Sequence, residues 1–224
     1  MTKYHHLYWT ACSAHCIDLI LEDIGKRSQE SHCIAKRKEI TQFIYNYNWV
    51  TNYMKKFTDG KELLRPGITR FATNFIALES IVRQCNNLRN MFESPTWVNS
   101  RYGRMSDPLA VEVRETILAT TSEGRHFWQN ANELLKVQEP LLKTLRLVDG
   151  DDKPTMGFLY DAMDICKMAI KENCRHRKHY WSIIDRRWNF QLHHDLHASS
   201  MLLIIVNEYY FICKVLLLQM MYLL

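Results

Sequence analysis

Apolar side chains return at intervals of three and four along most of this 224-residue chain. That is the period of an α-helix with one buried face, so it commits the chain to helices packed on helices. Phe71, Phe75, Leu78, Val82, Cys85, Leu88 and Phe92 form the cleanest stripe and predict one helix. Ile17, Ile20, Leu21 and Ile24 form a shorter stripe, which Gly25 and Lys26-Arg27 should stop. Ile40, Phe43, Ile44, Tyr47, Val50, Met54 and Phe57 make a third, running unbroken to Asp59-Gly60. Seven glycines and five prolines are few for a sheet-rich fold of tight turns, so a mainly α class follows.

The punctuation between stripes is local and specific. Arg65-Pro66-Gly67 reads as a turn, with Thr69 placed to cap the next helix. Ser94-Pro95 and Asp107-Pro108 each pair an N-cap residue with proline at the first helical position, and the second opens a helix through Val111, Ile117 and Leu118. A further helix spans 127–147, and Pro140 is expected to kink it or end its first half. Asp149-Gly-Asp-Asp-Lys-Pro154 reads as a linker. A helix over 156–174 follows, then the basic stretch Arg175-His-Arg-Lys-His179, then a helix from Tyr180 carrying Ile183, Ile184 and Trp188. The best strand candidate is His6-Leu7-Tyr8-Trp9-Thr10, a single short edge strand near the N-terminus.

Composition excludes whole classes. With 47% apolar and 12% aromatic residues the chain can bury a core and is not of the disordered type. Residues 1–105 carry 15 basic and 9 acidic groups (+6), and 106–200 carry 13 and 14 (−1), so the first half is compatible with a polyanionic partner. Seven cysteines at irregular spacing, and a first segment without an apolar signal region, point to a reducing compartment rather than secretion. Residues 201–224 are nearly all apolar, but Asn207, Glu208, Lys214 and Gln219 interrupt them and argue against a membrane span.

Chemistry-bearing motifs are sparse. Cys12-x-x-His15 has the spacing of half a zinc site. It lacks a second pair at finger spacing, so it reads instead as a strand-to-helix junction with a buried thiol and a hydrogen-bonded imidazole. The acidic pairs Asp18/Glu22 and Asp161/Asp164 and the cluster Asp149, Asp151, Asp152 read as solvated. Nucleophile-elbow, P-loop, zincin and dinucleotide patterns are missing. Basic and aromatic residues interleave in Arg65-Pro-Gly-Ile-Thr-Arg70-Phe71-Ala-Thr-Asn74, which puts two guanidiniums, an amide and an aromatic at a helix start. Such a patch suits a phosphate and an unpaired base; the alternative is that Phe71 and Phe75 are core. Arg186-Arg187, with Arg175 to His179, forms a second basic group. Lys36-Arg-Lys38 is too short for a nuclear signal by itself.

Taken in order, several segments resemble plant hAT-superfamily transposases. They are Tyr8-Trp-Thr-Ala-Cys12-Ser-Ala-His15-Cys-Ile-Asp-Leu-Ile-Leu-Glu-Asp-Ile-Gly25, Ile40-Thr-Gln-Phe-Ile-Tyr45, and Arg65-Pro-Gly-Ile-Thr-Arg-Phe-Ala-Thr-Asn-Phe-Ile-Ala-Leu78. Ile183-Ile-Asp-Arg-Arg-Trp188, Gln191-Leu-His193 and Leu196-His-Ala198 complete the set, over residues 4–198. The resemblance implies an RNase H-like core interrupted by a large helical insertion. It also implies metal-dependent phosphoryl transfer by three acidic residues, with Mg²⁺ or Mn²⁺ in an intact family member. Cys12 and His15 match the family's C-x-x-H motif. Arg70 and Phe71 match its Thr-Arg-aromatic motif, usually Trp, whose ring is thought to hold a flipped base; Phe keeps the π-face and loses the indole N–H.

The family's acidic residues have no counterparts in this chain, nor do its BED-type finger and its dimerisation region. The expectation is therefore a truncated, catalytically inactive transposase-like protein, nuclear by the resemblance and otherwise cytoplasmic, with no cofactor of its own. Its expected partners are DNA, through Arg65, Arg70, Phe71, Asn74, Arg186 and Arg187, and a full-length related transposase. The expected layout is a strand and helix of a partial core over 1–26, a helical insertion over 27–175, a returning helix over 176–200 and a hydrophobic tail over 201–224. Two alternatives stand beside it: a helical protein-interaction module without nucleic-acid function, and a domain tethered to a membrane by 201–224.

Overall fold

A computed structural model describes residues 11–65, 67, 72–149 and 158–193. Of these, 81% are helical, and no strand occurs among them. The strand expected at 6–10, the cap at Thr69, the linker from 150 to 154 and the tail 201–224 lie outside the described residues. Ten α-helices are described: α1 Ser13–Gly25, α2 Ser28–Asn46, α3 Asn48–Phe57, α4 Ala72–Arg83, α5 Cys85–Glu93, α6 Pro95–Asn99, α7 Pro108–Leu118, α8 Ser122–Val148, α9 Leu159–Asn173 and α10 Arg177–Arg187. A π-helical turn, Trp188–Leu192, follows the last.

The chain divides into two compact units. One comprises Leu21–Glu139 with Asn173–Arg175, and the other Met1–Ile20, Pro140–Glu172 and His176–Leu224. In the first, α2 packs on α3, α4 and α7, and α5 packs on α3, α4, α6 and α7. The faces that meet are those the apolar spacing marks. Ile40, Phe43 and Ile44 of α2, Phe75, Leu78 and Ile81 of α4, and Leu88, Met91 and Phe92 of α5 are all buried. Trp97 fills the centre, with its ring 4.4 Å from that of Phe92 and edge-on to Phe43 at 6.3 Å. At its edge Trp49 stacks on Tyr53 at 4.9 Å and on Tyr102 at 5.1 Å.

Two stripes that read as single helices are each two. Tyr47 takes an extended conformation (φ −125°, ψ 111°) between α2 and α3. The hydroxyl of Thr51 donates to the Ile44 carbonyl at 2.8 Å and so satisfies an acceptor freed by the break. Gln84 similarly separates α4 from α5, and its side chain accepts from Asn87 Nδ2 at 2.7 Å. Neither break disturbs which residues face inward, so periodicity does not register it.

The two cap-proline pairs behave as read. Ser94 Oγ accepts from Trp97 N at 3.3 Å and Asp107 Oδ2 from Ala110 N at 3.4 Å. Pro140 does not end a helix: α8 runs through it, starting at Ser122 rather than Phe127. Val137 and Leu141 beside it are fully buried, and that packing outweighs the backbone hydrogen bond a proline removes. Gly124 lets α8 start against α7, since a Cβ there would meet Glu115 O at 2.7 Å.

In the other unit the Lys167 ammonium pairs with Asp185 at 2.5 Å, and Trp181 Nε1 donates to the Lys167 carbonyl at 3.2 Å. These contacts join α9 to α10. Tyr160 packs edge-on against Trp188 at 4.7 Å, and its hydroxyl shares a hydrogen bond with His193 Nδ1 at 2.8 Å.

Candidate nucleic-acid interface

The two ends of the interleaved segment, Arg65 and Asn74, both touch α2. Tyr45 donates from its hydroxyl to Leu63 O at 2.8 Å, and Leu64 N donates to Ser80 Oγ at 3.0 Å, so residues 63–65 are pinned between α2 and α4. Exposed Arg65 lies with its guanidinium 4.7 Å from the centre of the Tyr45 ring. Such stacking over an aromatic face contributes about 0.5–1 kcal/mol at an exposed site and leaves the charge in water. Asn74, in the first turn of α4, accepts from Arg37 Nη2 at 2.9 Å. Arg37 and Tyr45 are eight positions apart on α2, so Arg65 and Asn74 dock about 12 Å apart along its axis. Arg70 and Phe71 lie outside the described residues.

Arg37 is the residue that reading for basic runs misses. It is 1% exposed, its Nε is buried without an acceptor, and burial pushes its pKa down to about 10, which leaves it protonated at neutral pH. Its neighbour Lys36 is 4% exposed and pairs with Glu112, with Glu123 at 3.1 Å and with Glu39 at 3.9 Å. Two of the three cations in Lys36-Arg-Lys38 are therefore inside the fold rather than on a basic surface. The signal that finds Arg37 is its register: Cys33, Arg37, Ile40 and Ile44 follow the helical period and share the buried face.

Of the second basic group, Arg177, Lys178, His179, Arg186 and Arg187 lie on α10, in the other unit, and Arg175 belongs to the first. Arg177, Lys178, His179 and Arg186 are exposed, and Arg187 is half-buried, with Nη1 donating to Gln191 Oε1 at 3.4 Å. Lys178, Ser182 and Arg186 are spaced by four and share one exposed edge of the helix. Asp185 is the single acid of α10 and is already engaged by Lys167.

Cys12 and His15 stand at the start of α1, and both are exposed. The expected buried thiol is instead Cys16, whose pKa burial and Cys12 push up while Arg187 opposes them. Arg187 is thus brought near the C-x-x-H segment within one unit. Among the described residues no three His, Cys, Asp or Glu side chains converge on a metal position. No described helix is long and apolar enough to cross a membrane. No family model, curated protein or solved structure matches this chain.

Proposed function

We propose that this chain is a hAT-transposase-like helical module that holds DNA by its phosphate backbone and does not cut it. The observation that carries the reading is α10: four Arg and Lys in eleven residues, three of them exposed, with its one acid neutralised internally. A helix edge of that kind offers phosphate contacts, which position DNA without reading its sequence. Arg65, exposed and stacked on Tyr45, adds a cation in the other unit. Arg70 and Phe71 take the same role on the resemblance alone. In this reading the chain is derived from the helical insertion of an RNase H-like transposase and supplies no catalytic carboxylate.

Fluorescence anisotropy of a labelled duplex, titrated at several salt concentrations, tests it. Each phosphate neutralised contributes about −0.9 to the slope of log K against log salt. The double variant K178A/R186A should flatten the slope by about 2 on that basis. A wild-type slope near zero, or no binding at low salt, refutes the reading.

A second reading, a protein-interaction module, is favoured by α9. Ile165 is 66% and Met168 60% exposed, one turn apart on that helix. Sedimentation of wild type against I165D/M168D separates the two: self-association lost in the variant with DNA binding absent from both supports the module.

A further inference from the structure

The amide of Asn74 has a fixed orientation. A guanidinium has only donors to offer, so its contact with Arg37 Nη2 places Oδ1 inward and Nδ2 outward. Among the described residues the outward Nδ2 has no hydrogen-bond partner and is not a buried atom, and the Asn74 side chain is half-buried.

Arg37 gives that amide an unusual backing. The guanidinium is buried, its Nε lacks an acceptor, and no described carboxylate pairs with it. A carboxylate at position 74 would cancel the charge, whereas a carboxamide transmits it. An amide oxygen bonded to a cation polarises the whole group and strengthens its outward N–H donors. Position 74 also lies in the first turn of α4, where the helix dipole adds positive potential.

We propose that Asn74, backed by Arg37, is a subsite for one oxyanion, namely a phosphate group of a bound nucleic-acid backbone. This rests on the reading that the chain binds DNA, and it names a donor pair that does the holding. Arg37 is a positioning residue here: it stays in the core and acts through the amide it orients.

The full-length ¹⁵N-labelled chain is titrated with duplex DNA and, separately, with inorganic phosphate, while the Asn74 side-chain amide pair is followed by NMR. In parallel, thermal midpoints and DNA affinities are measured for wild type, N74D, N74A and R37M. DNA should shift the Asn74 amide pair. N74D should raise the midpoint, because its carboxylate meets Arg37, and should weaken DNA binding at least tenfold. N74A, which loses only the donors, should weaken binding several-fold, and R37M should do so without lowering the midpoint. Wild-type affinity in folded N74D and N74A overturns the subsite, as does DNA binding that leaves the Asn74 amide unshifted. If wild type binds no DNA yet phosphate shifts the amide, the DNA reading fails and the oxyanion subsite stands with free phosphate as its ligand. If wild type binds no DNA and phosphate leaves the amide unshifted, both fail.

Discussion

Replacing Arg37 by Met should stabilise this protein, contrary to the usual outcome of changing a buried residue. Burial lowers the Arg37 pKa well below its ordinary value, to about 10, and the only described side-chain partner of the guanidinium is the neutral Asn74. At 1.36 kcal/mol per unit, that gap corresponds to about 3 kcal/mol against folding whenever the group is charged. Methionine removes the charge and fills most of the volume. What is lost is one hydrogen bond, about 1 kcal/mol net, and some packing, again about 1 kcal/mol. The expected balance is a gain of about 1–2 kcal/mol, or a rise in thermal midpoint of about 3–6 °C for a chain of this size. The pH dependence has a definite sign. The folded pKa lies below the unfolded one, so relief of the penalty is complete only above the unfolded value and is lost as pH falls through about 10. Between pH 5 and 9 the wild type therefore carries the full cost, and the difference from R37M should be flat. Urea unfolding at several pH values in that range, followed by circular dichroism, measures it. A variant less stable than wild type by more than about 1 kcal/mol, well outside extrapolation error, would refute the reasoning. It would mean that the guanidinium's contacts outweigh its desolvation.

Other outcomes follow from the same core. The Lys36 ammonium, with His32 adding to it, holds the Glu123 carboxyl below its ordinary 4.5. That pair therefore supports folding above pH 4.5 and ceases to as pH falls through the lowered value, so E123Q should show a shallower loss of thermal midpoint on acidification than wild type. Cys12 is exposed, whereas burial, with Glu30 adding to it, pushes the Cys33 thiol up to about 12. Thiol labelling mapped by mass spectrometry should modify Cys12 in the native protein and Cys33 only on unfolding. At the α7–α8 turn, G124A should cost about 1–3 kcal/mol, because its Cβ meets backbone that cannot move aside. Ala119 ends α7 in the left-handed region (φ 54°), so A119G should gain about 0.5–1 kcal/mol; equal effects of the two changes in urea unfolding would contradict this geometry.

The legible part of this protein is what acts over a few residues. Ile17, Ile20, Leu21 and Ile24 are all buried on α1, and Ser94 and Asp107 cap the helices that their prolines open. Those signals need only the helical period and a side chain three residues from an N–H. The breaks at Tyr47 and Gln84 were hidden because one non-helical residue inside a stripe leaves the inward face almost unchanged. At Pro140 only the alternative of an ended helix fails, since buried neighbours hold α8 together across it.

The candidate site divides along the same line. The sequence by itself determined a helical chain and marked Arg65, Asn74, Arg186 and Arg187 as cations and an amide worth placing. Only the tertiary structure decided that Arg65 rests on Tyr45, that Lys36 is enclosed by Glu112 and Glu123, and that Asn74 is turned by Arg37. The reason is range. A helix is set by residues four apart, but whether a charge is solvated, paired or buried bare depends on side chains 20 to 87 positions away, which only packing brings within a few ångströms.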